Sequence, residues 1–320
     1  AVVVPFTIAD ERELLESFRD APTHDADSAL NWLVAAAFPR WVREHKGKRL
    51  VMPPEHVLVN EYLAVAPPRP WLINSGHADA LAVESEVTAR YYRRAGIAER
   101  QIRVTGALSD DVACRVRREA DARREALNRE GGLPARRRRG LGGVPPNQLG
   151  GVGRPGCAFR TYRELVEACL QPLEALGEEC NVVLNLHPRI AEESALFEQL
   201  RVRVSRRDVA ELIPLAWLYV ASSSATIRLA VACGIPVINY DVYRYDYADF
   251  DGIPGVVGVN DQGAYRAAVG ELGRGGEAYE RMRSAQAEFA AREMPIDGRA
   301  GERLLRLFDE LTRAGAAAVA

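Results

Sequence analysis

Two apolar runs that stop abruptly constrain this chain more than any other feature. Residues 181–189 read Asn-Val-Val-Leu-Asn-Leu-His-Pro-Arg, and residues 217–226 read Trp-Leu-Tyr-Val-Ala-Ser-Ser-Ser-Ala-Thr. Each begins as a buried strand and ends in polar residues. The second then opens into an apolar helical segment, 227–233. Buried strands that alternate with helices belong to parallel α/β sheets. In an open sheet of that kind, ligands bind beyond the carboxyl ends of the strands. His187-Pro188 and Ser222-Ser223-Ser224 are therefore the first places to look for chemistry.

The alternation runs through the chain. Strands are expected at 2–8, 49–52, 71–74, 80–83, 101–105, 182–186, 202–205, 218–221 and 236–240. Helices are expected at 10–19, 30–45, 86–95, 110–129, 161–176, 191–200, 208–213 and 226–233. Three more are expected near 262–272, 277–293 and 301–318. Gly96 is placed to cap the helix over 86–95. Between residues 131 and 156 the composition changes to Gly, Pro and four arginines, Arg136 to Arg139, which reads as a linker. Four parts follow: a first Rossmann-like domain over 1–130, a linker over 131–156, a second Rossmann-like domain over 157–300, and a helix over 301–320 that crosses back. The chain opens on Ala1-Val2-Val3-Val4, already strand-like, so a further Rossmann unit is expected upstream.

A length of 320 residues and 48% apolar content suit two domains with real cores. A net charge of −2 argues against a nucleic-acid binder. Five cysteines without a C-x-x-C pair read as reduced thiols of a cytoplasmic protein. No run of eighteen apolar residues is present, and no signal peptide is expected.

At a strand end, the ring of His187 is held by the turn that Pro188 enforces, because proline pushes the preceding residue out of the α region. Such a ring, with Arg189 beside it, suits a phosphate or a nucleobase edge. Ser222, Ser223, Ser224 and Thr226 bring hydroxyls and backbone N–H groups to a helix start, which favours an anion; simple capping needs only one of them. Tyr240 and Asp241 end the next buried strand and lead an aromatic and acidic loop (Tyr243, Tyr245, Asp246, Tyr247, Asp249) suited to sugar hydroxyls. His24, His56 and His77 fall in polar loops as candidate substrate contacts. Asp25-Ala26-Asp27 has a spacing that can hold a divalent ion, but it precedes a helix and reads as capping, so no metal is expected.

The order of these pieces resembles the glycosyltransferases of the GT-B fold. Residues 96–110, through Val104-Thr105-Gly106-Ala107-Leu108-Ser109-Asp110, resemble the end of their first domain, and residues 181–241 resemble their nucleotide-binding domain. UDP-N-acetylglucosamine 2-epimerases share that fold. His-Pro paired with a Ser/Thr-rich helix start is similar to bacterial sialyltransferases and Kdo transferases. The resemblance implies an α/β GT-B architecture, two Rossmann-like domains with parallel sheets facing a cleft. It implies transfer of a sugar from a CMP-activated donor, of Kdo or sialic acid type, to a growing surface polysaccharide, with no cofactor besides the donor. His187, Pro188, Arg189, Ser222, Ser223, Ser224, Thr226, Tyr240 and Asp241 would bind the donor. Asp10, Glu55 and Asp79 are the candidate catalytic carboxylates, ranked by their loop or strand-end positions. The implied partners are a glycan or glycolipid acceptor, the face of the inner membrane and a larger multidomain synthase. Two rivals stand beside this reading: a UDP-sugar transferase or 2-epimerase, and an inactive scaffold. Ser223-Ser224-Ala225-Thr226 stands where an epimerase is expected to carry an acidic and Gly-Gly pattern.

Overall fold

The structure is a computed structural model that describes residues 2–4, 11–72, 77–131, 133–134, 139–145, 151–153, 156–187, 190, 202–247 and 249–319; over 314–319 it describes the backbone alone. The chain forms two compact units. One comprises Ala1–Thr105 with Leu304–Ala320, the other Gly106–Arg303.

In the first unit the described elements are β1 (Val2–Val3), α1 (Glu11–Phe18), α2 (Trp32–Ala37), β2 (Arg43–His45), β3 (Lys48–Leu50), α3 (Pro54–Tyr62), β4 (Ala80–Val83), α4 (Glu86–Arg94) and β5 (Ile102–Val104). Strands β1, β4 and β5 make a parallel sheet in that order. Ala80 and Ala82 of β4 pack under Leu304 and Leu307. The helix expected over 30–45 is broken. It stops at Ala37, and Pro39 starts a short 3-10 turn, because proline has no N–H for a helical bond. The remainder forms the β2–β3 hairpin. Its two-residue turn is Lys46 (φ 46) and Gly47 (φ 77), the left-handed pair that matches strand twist. Helix α3 was hidden by Pro53-Pro54, and its Pro54 sits at the tolerated first turn. Trp71 lies in a turn rather than in the expected strand over 71–74, whose last two residues are outside the described ones.

Glu16 fastens α1 to the hairpin. It is 4% exposed and accepts from Arg19 (2.6 Å), from Lys46 (3.0 Å) and, when that ring is protonated, from His45 (2.7 Å). Burial pushes its pKa up, but the hydrogen bonds from His45 and Lys46 outweigh this and hold it below the ordinary 4.5. A carboxylate with a depressed folded pKa stabilises above its unfolded pKa and loses that stabilisation as pH falls through the folded value. Urea melts at about pH 6, 4 and 3 are expected to show less acid destabilisation in Glu16→Gln than in wild type; parallel curves would contradict this role.

The second unit holds α5 (Leu108–Arg118), α6 (Ala120–Gly131), β6 (Arg139–Val144), α7 (Tyr162–Leu176), β7 (Asn181–Leu186), β8 (Arg203–Ser205), α8 (Val209–Leu212), β9 (Leu218–Ala221), α9 (Ile227–Ala232), β10 (Val237–Tyr240), β11 (Val256–Val259), α10 (Gln262–Arg274), α11 (Glu277–Glu293) and α12 (Ala300–Val319), the last continuing into the first unit. Its sheet runs β11-β10-β9-β6-β7-β8 and is parallel throughout. Counted from β6, this is the 3-2-1-4-5-6 order of dinucleotide-binding folds, with the reversal between β6 and β9.

The main correction concerns 131–156. The stretch read as a linker contains β6, the central strand. Gly142 is there to admit a helix at close range, not to loosen the chain. A Cβ at Gly142 would stand 2.5 Å from Leu173 Cδ1, and one at Gly140 would stand 3.4 Å from Leu176 Cδ2. Both leucines belong to α7 and are buried. The unit boundary correspondingly falls at Thr105/Gly106. The single helix expected over 110–129 is two, α5 and α6, parted at Glu119. Strand β11 was masked by its glycines, and the helix expected at 191–200 lies outside the described residues. Gly142→Val is expected to cost about 1–3 kcal/mol or more through overpacking, read by chemical denaturation; an unchanged midpoint would mean that α7 yields without strain.

Candidate functional site

The strand register brings the candidate residues to one level. Gly142 pairs with Val220 and with Leu184, and Val220 pairs with Ile238. Two residues on, Val144, Leu186 and Tyr240 end their strands level with Ser222, the first residue past β9. His187 and Ser223 follow, beyond the carboxyl ends of β7 and β9, with β6 between. Two strand spacings separate them, about 10 Å.

The serine turn is tightly braced. Ser223 has φ 44, a left-handed backbone that non-glycine residues rarely adopt. Its N–H donates to Asn239 Oδ1 (2.8 Å) and its hydroxyl donates to Asp241 Oδ1 (3.3 Å). Asp241 also accepts the N–H groups of Tyr245 (3.0 Å) and Asp246 (2.7 Å). One carboxylate thus clamps both loops. Arg244 (φ 52) and Asp246 (φ 55) share the left-handed conformation, so three strained residues meet here; such strain gathers at functional sites. Ser224 and Thr226 join side chains at 2.7 Å, and Thr226 continues to the buried Tyr219 hydroxyl at 2.6 Å. Ser222 Oγ is buried and, among the described residues, has no hydrogen-bond partner. Among the described residues no acceptor takes up the backbone N–H of Ser224 or Ala225.

Helix α9 is six residues long and starts after Thr226, so the serines form a turn before the helix rather than its first residues. Arg228 on α9 donates to Asp110 Oδ1 (2.7 Å), with side-chain exposures of 11% and 6%. Asp110 Oδ2 also accepts Ala107 N–H (2.9 Å). This buried ion pair holds the helix behind the serine turn. Breaking such a pair strands one charge in the interior.

The structure sorts the sequence-derived residues. Ser222, Ser223, Ser224, Thr226 and Asp241 come together. His187 is exposed just past β7, with its carbonyl accepting Ile190 N–H (2.9 Å). Tyr240 points into the core, stacked on Tyr265 at 4.4 Å, and burial pushes its phenol up to about 12. Tyr243 and Tyr245 are buried too, while half-buried Tyr247 stacks on Tyr245 at 5.0 Å. Pro188, Arg189 and Asp10 lie outside the described residues. Glu55 and Asp79 belong to the first unit. Glu55 is exposed in the first turn of α3, and Asp79 precedes β4, at the amino edge of its sheet. His24, read as a loop residue, is buried and stacked on Phe18 at 3.9 Å; burial lowers its pKa, keeping the ring neutral. In the Asp25-Ala26-Asp27 pair, Asp25 Oδ1 accepts Asp27 N–H (3.0 Å) and Asp27 pairs with Arg49, so both carboxylates brace a turn. Sequence reasoning missed Asn239, Asp110 and Arg228. The signal for Arg228 was present, since a lone arginine inside an apolar helix needs a carboxylate.

No family model matches the chain, and no curated protein matches it by sequence. Solved structures do. The wall teichoic acid polymerase TagF superimposes with a TM-score of 0.54 at 14% identity, over 74% of this chain and 59% of TagF. A TagF variant soaked with CDPG gives 0.52 at 16% identity, over 74% and 58%. The UDP-GlcNAc 2-epimerase of Methanocaldococcus jannaschii, in complex with UDP-GlcNAc and UDP, gives 0.49 at 17%, over 73% and 61%. The TagF likeness shows the fold: this is a GT-B chain. It spans less than two thirds of the TagF chains it matches. Among the described residues no helix is long and apolar enough to cross a membrane.

Asp241→Ala removes the shared acceptor of both loops. Faster amide hydrogen exchange is expected at 222–226 and at 242–247 together, with a stability loss of about 1–3 kcal/mol. Exchange that rises in the second loop alone would refute the clamp.

Proposed function

We propose that the chain is a GT-B transferase that binds a nucleotide-activated donor on its 106–303 unit, at the carboxyl ends of β6, β9 and β10. The observation that carries this is the strained serine turn at the point where strand order reverses. There the N–H groups of Ser224 and Ala225 have no acceptor within the described protein. Donors of this kind, held by a braced turn, suit the charge that grows on a departing phosphate, because they need no reorganisation as it forms. Ser223 and Asp241 set the turn, Ser224 and Thr226 fix its hydroxyl edge, and His187 stands just past β7.

The donor is proposed to be a cytidine nucleotide. The pairing of His187-Pro188 with Ser222–Ser224, similar to enzymes that use CMP-sugars of Kdo or sialic acid type, supports this, as does the fold shared with TagF, which was soaked with CDPG. A glycan or glycolipid acceptor completes the reaction. A carboxylate of the first unit would take the acceptor's proton. Asp10 and Glu55 are the proposed candidates; Asp79 is not retained, because it sits at the amino edge of its sheet.

Calorimetric titration with CMP, CDP, UMP, UDP and GDP tests the reading. Cytidine nucleotides are expected to bind selectively. His187→Ala is expected to weaken binding about tenfold or more, the worth of a charge-assisted hydrogen bond, with unaltered melting of the free protein. Preference for UDP would turn the assignment to a UDP-sugar transferase or 2-epimerase. The absence of nucleotide binding would leave a scaffold.

A further inference from the structure

Asparagine is a poor strand residue, because its short amide competes for nearby backbone groups. Two strands of the larger unit carry it nonetheless. On β7, Asn181 donates its NH2 to Asn128 Oδ1 (3.1 Å) and to the Pro134 carbonyl (2.8 Å). Asn185 donates to the carbonyls of Ser205 (3.3 Å) and Arg207 (2.9 Å). Both amides are consumed inside the protein. Asn239, next to last on β10, is different. Its neighbours Ile238 and Tyr240 belong to the core, so Asn239 lies on the opposite face of the strand, half-buried beside the serine turn.

Asn239 Oδ1 takes the Ser223 N–H at 2.8 Å. An N–H group can bond only the oxygen of a side-chain amide, so this contact fixes which end of Asn239 faces the turn. The Nδ2 end carries two donors. Among the described residues no acceptor takes either of them, and unlike Ser222 Oγ the atom is not sealed from solvent. An NH2 group of fixed direction therefore stands one amide width from the turn, where the N–H groups of Ser224 and Ala225 also meet no acceptor. A phosphate offers several strong acceptors and no donor, which suits such a set. We propose that Asn239 binds the nucleotide directly: Oδ1 holds the serine turn while Nδ2 donates to a phosphate oxygen. The proposal rests on the nucleotide-donor reading of this site and adds the side chain that reads its phosphate. An aspartate in its place would keep the bond to Ser223 and set a negative oxygen against the ligand.

The experiment compares CMP with cytidine, which lacks the phosphate, on the full chain by calorimetry. Asn239→Asp is expected to weaken CMP binding about tenfold or more. Its affinity for cytidine and the exchange rate of its Ser223 amide are expected to match wild type. Asn239→Ala removes both ends of the group, so weaker CMP binding and faster exchange at Ser223 are expected together. A second measurement needs no variant to fold. In wild-type protein isotope-labelled in asparagine, CMP is expected to shift the Asn239 side-chain NH2 resonances and slow their exchange with water, while cytidine leaves them in place. Equal CMP affinity in wild type and Asn239→Asp overturns the proposal. So does an equal loss for CMP and cytidine, because the residue would then act on the base or on the fold. NH2 resonances that CMP leaves unmoved overturn it as well. Wild type that binds no nucleotide removes the transferase reading and this one with it, whereas CMP binding that ignores Asn239 removes this one alone.

Discussion

The close approach of α7 to the bare face of β6 sets the geometry of the larger unit. Gly142 leaves out a side chain where Leu173 descends. The strand can then lie at the middle of a six-stranded parallel sheet with a helix pressed directly onto it. A side chain at Gly142 would push the helix outward and open the layer. With β6 central, the strand order reverses between β6 and β9. The crevice that this reversal creates is where an open α/β sheet offers a ligand space.

What fills that edge is a braced turn, not a long helix. The hydroxyls of the serine run are largely committed within the protein: Ser223 to Asp241, Ser224 to Thr226. Commitment is useful, because fixed hydroxyls hold the backbone N–H groups in place. Asp241 is the common point, accepting from one serine turn and two N–H groups of the following loop. Behind the turn, Arg228 and Asp110 trade charge in the interior and keep α9 from sliding. The site therefore gains its rigidity from groups that would never touch a ligand.

The smaller unit is organised differently. Its parallel sheet has three strands, and its tryptophans do much of the binding together: Trp71 donates to the Trp41 carbonyl (2.7 Å), and Trp41 donates to Glu61 (2.5 Å). Charged groups fasten the hairpin to α1 through Glu16. The outward faces of α2 and α3 stand apart from this packing, with Leu30, Trp32 and Tyr62 exposed.

Much of the architecture was legible in the sequence. Apolar runs of four to six residues gave β4, β7, β9 and β10, and the helical pattern over 161–176 gave α7, which the structure starts with a capping box of Thr161 and Glu164. Ser222, Ser223, Ser224 and Asp241 could be named because polar residues that end a buried strand have few other uses. Three things were not legible. A glycine-rich strand has the composition of a loop, and only the helix lying on it reveals why side chains are absent. Tyr240 and His24 look like ligand contacts in sequence, yet their rings are spent on packing, which depends on neighbours distant in the chain. Asn239, Asp110 and Arg228 act through partners brought close by folding alone. The sequence by itself determined local periodicity, hence strands, helices and their parallel alternation. Tertiary structure decided strand order, the central place of β6 and the shared carboxylate of Asp241, because each depends on which distant segments meet, and local propensity carries no information about that.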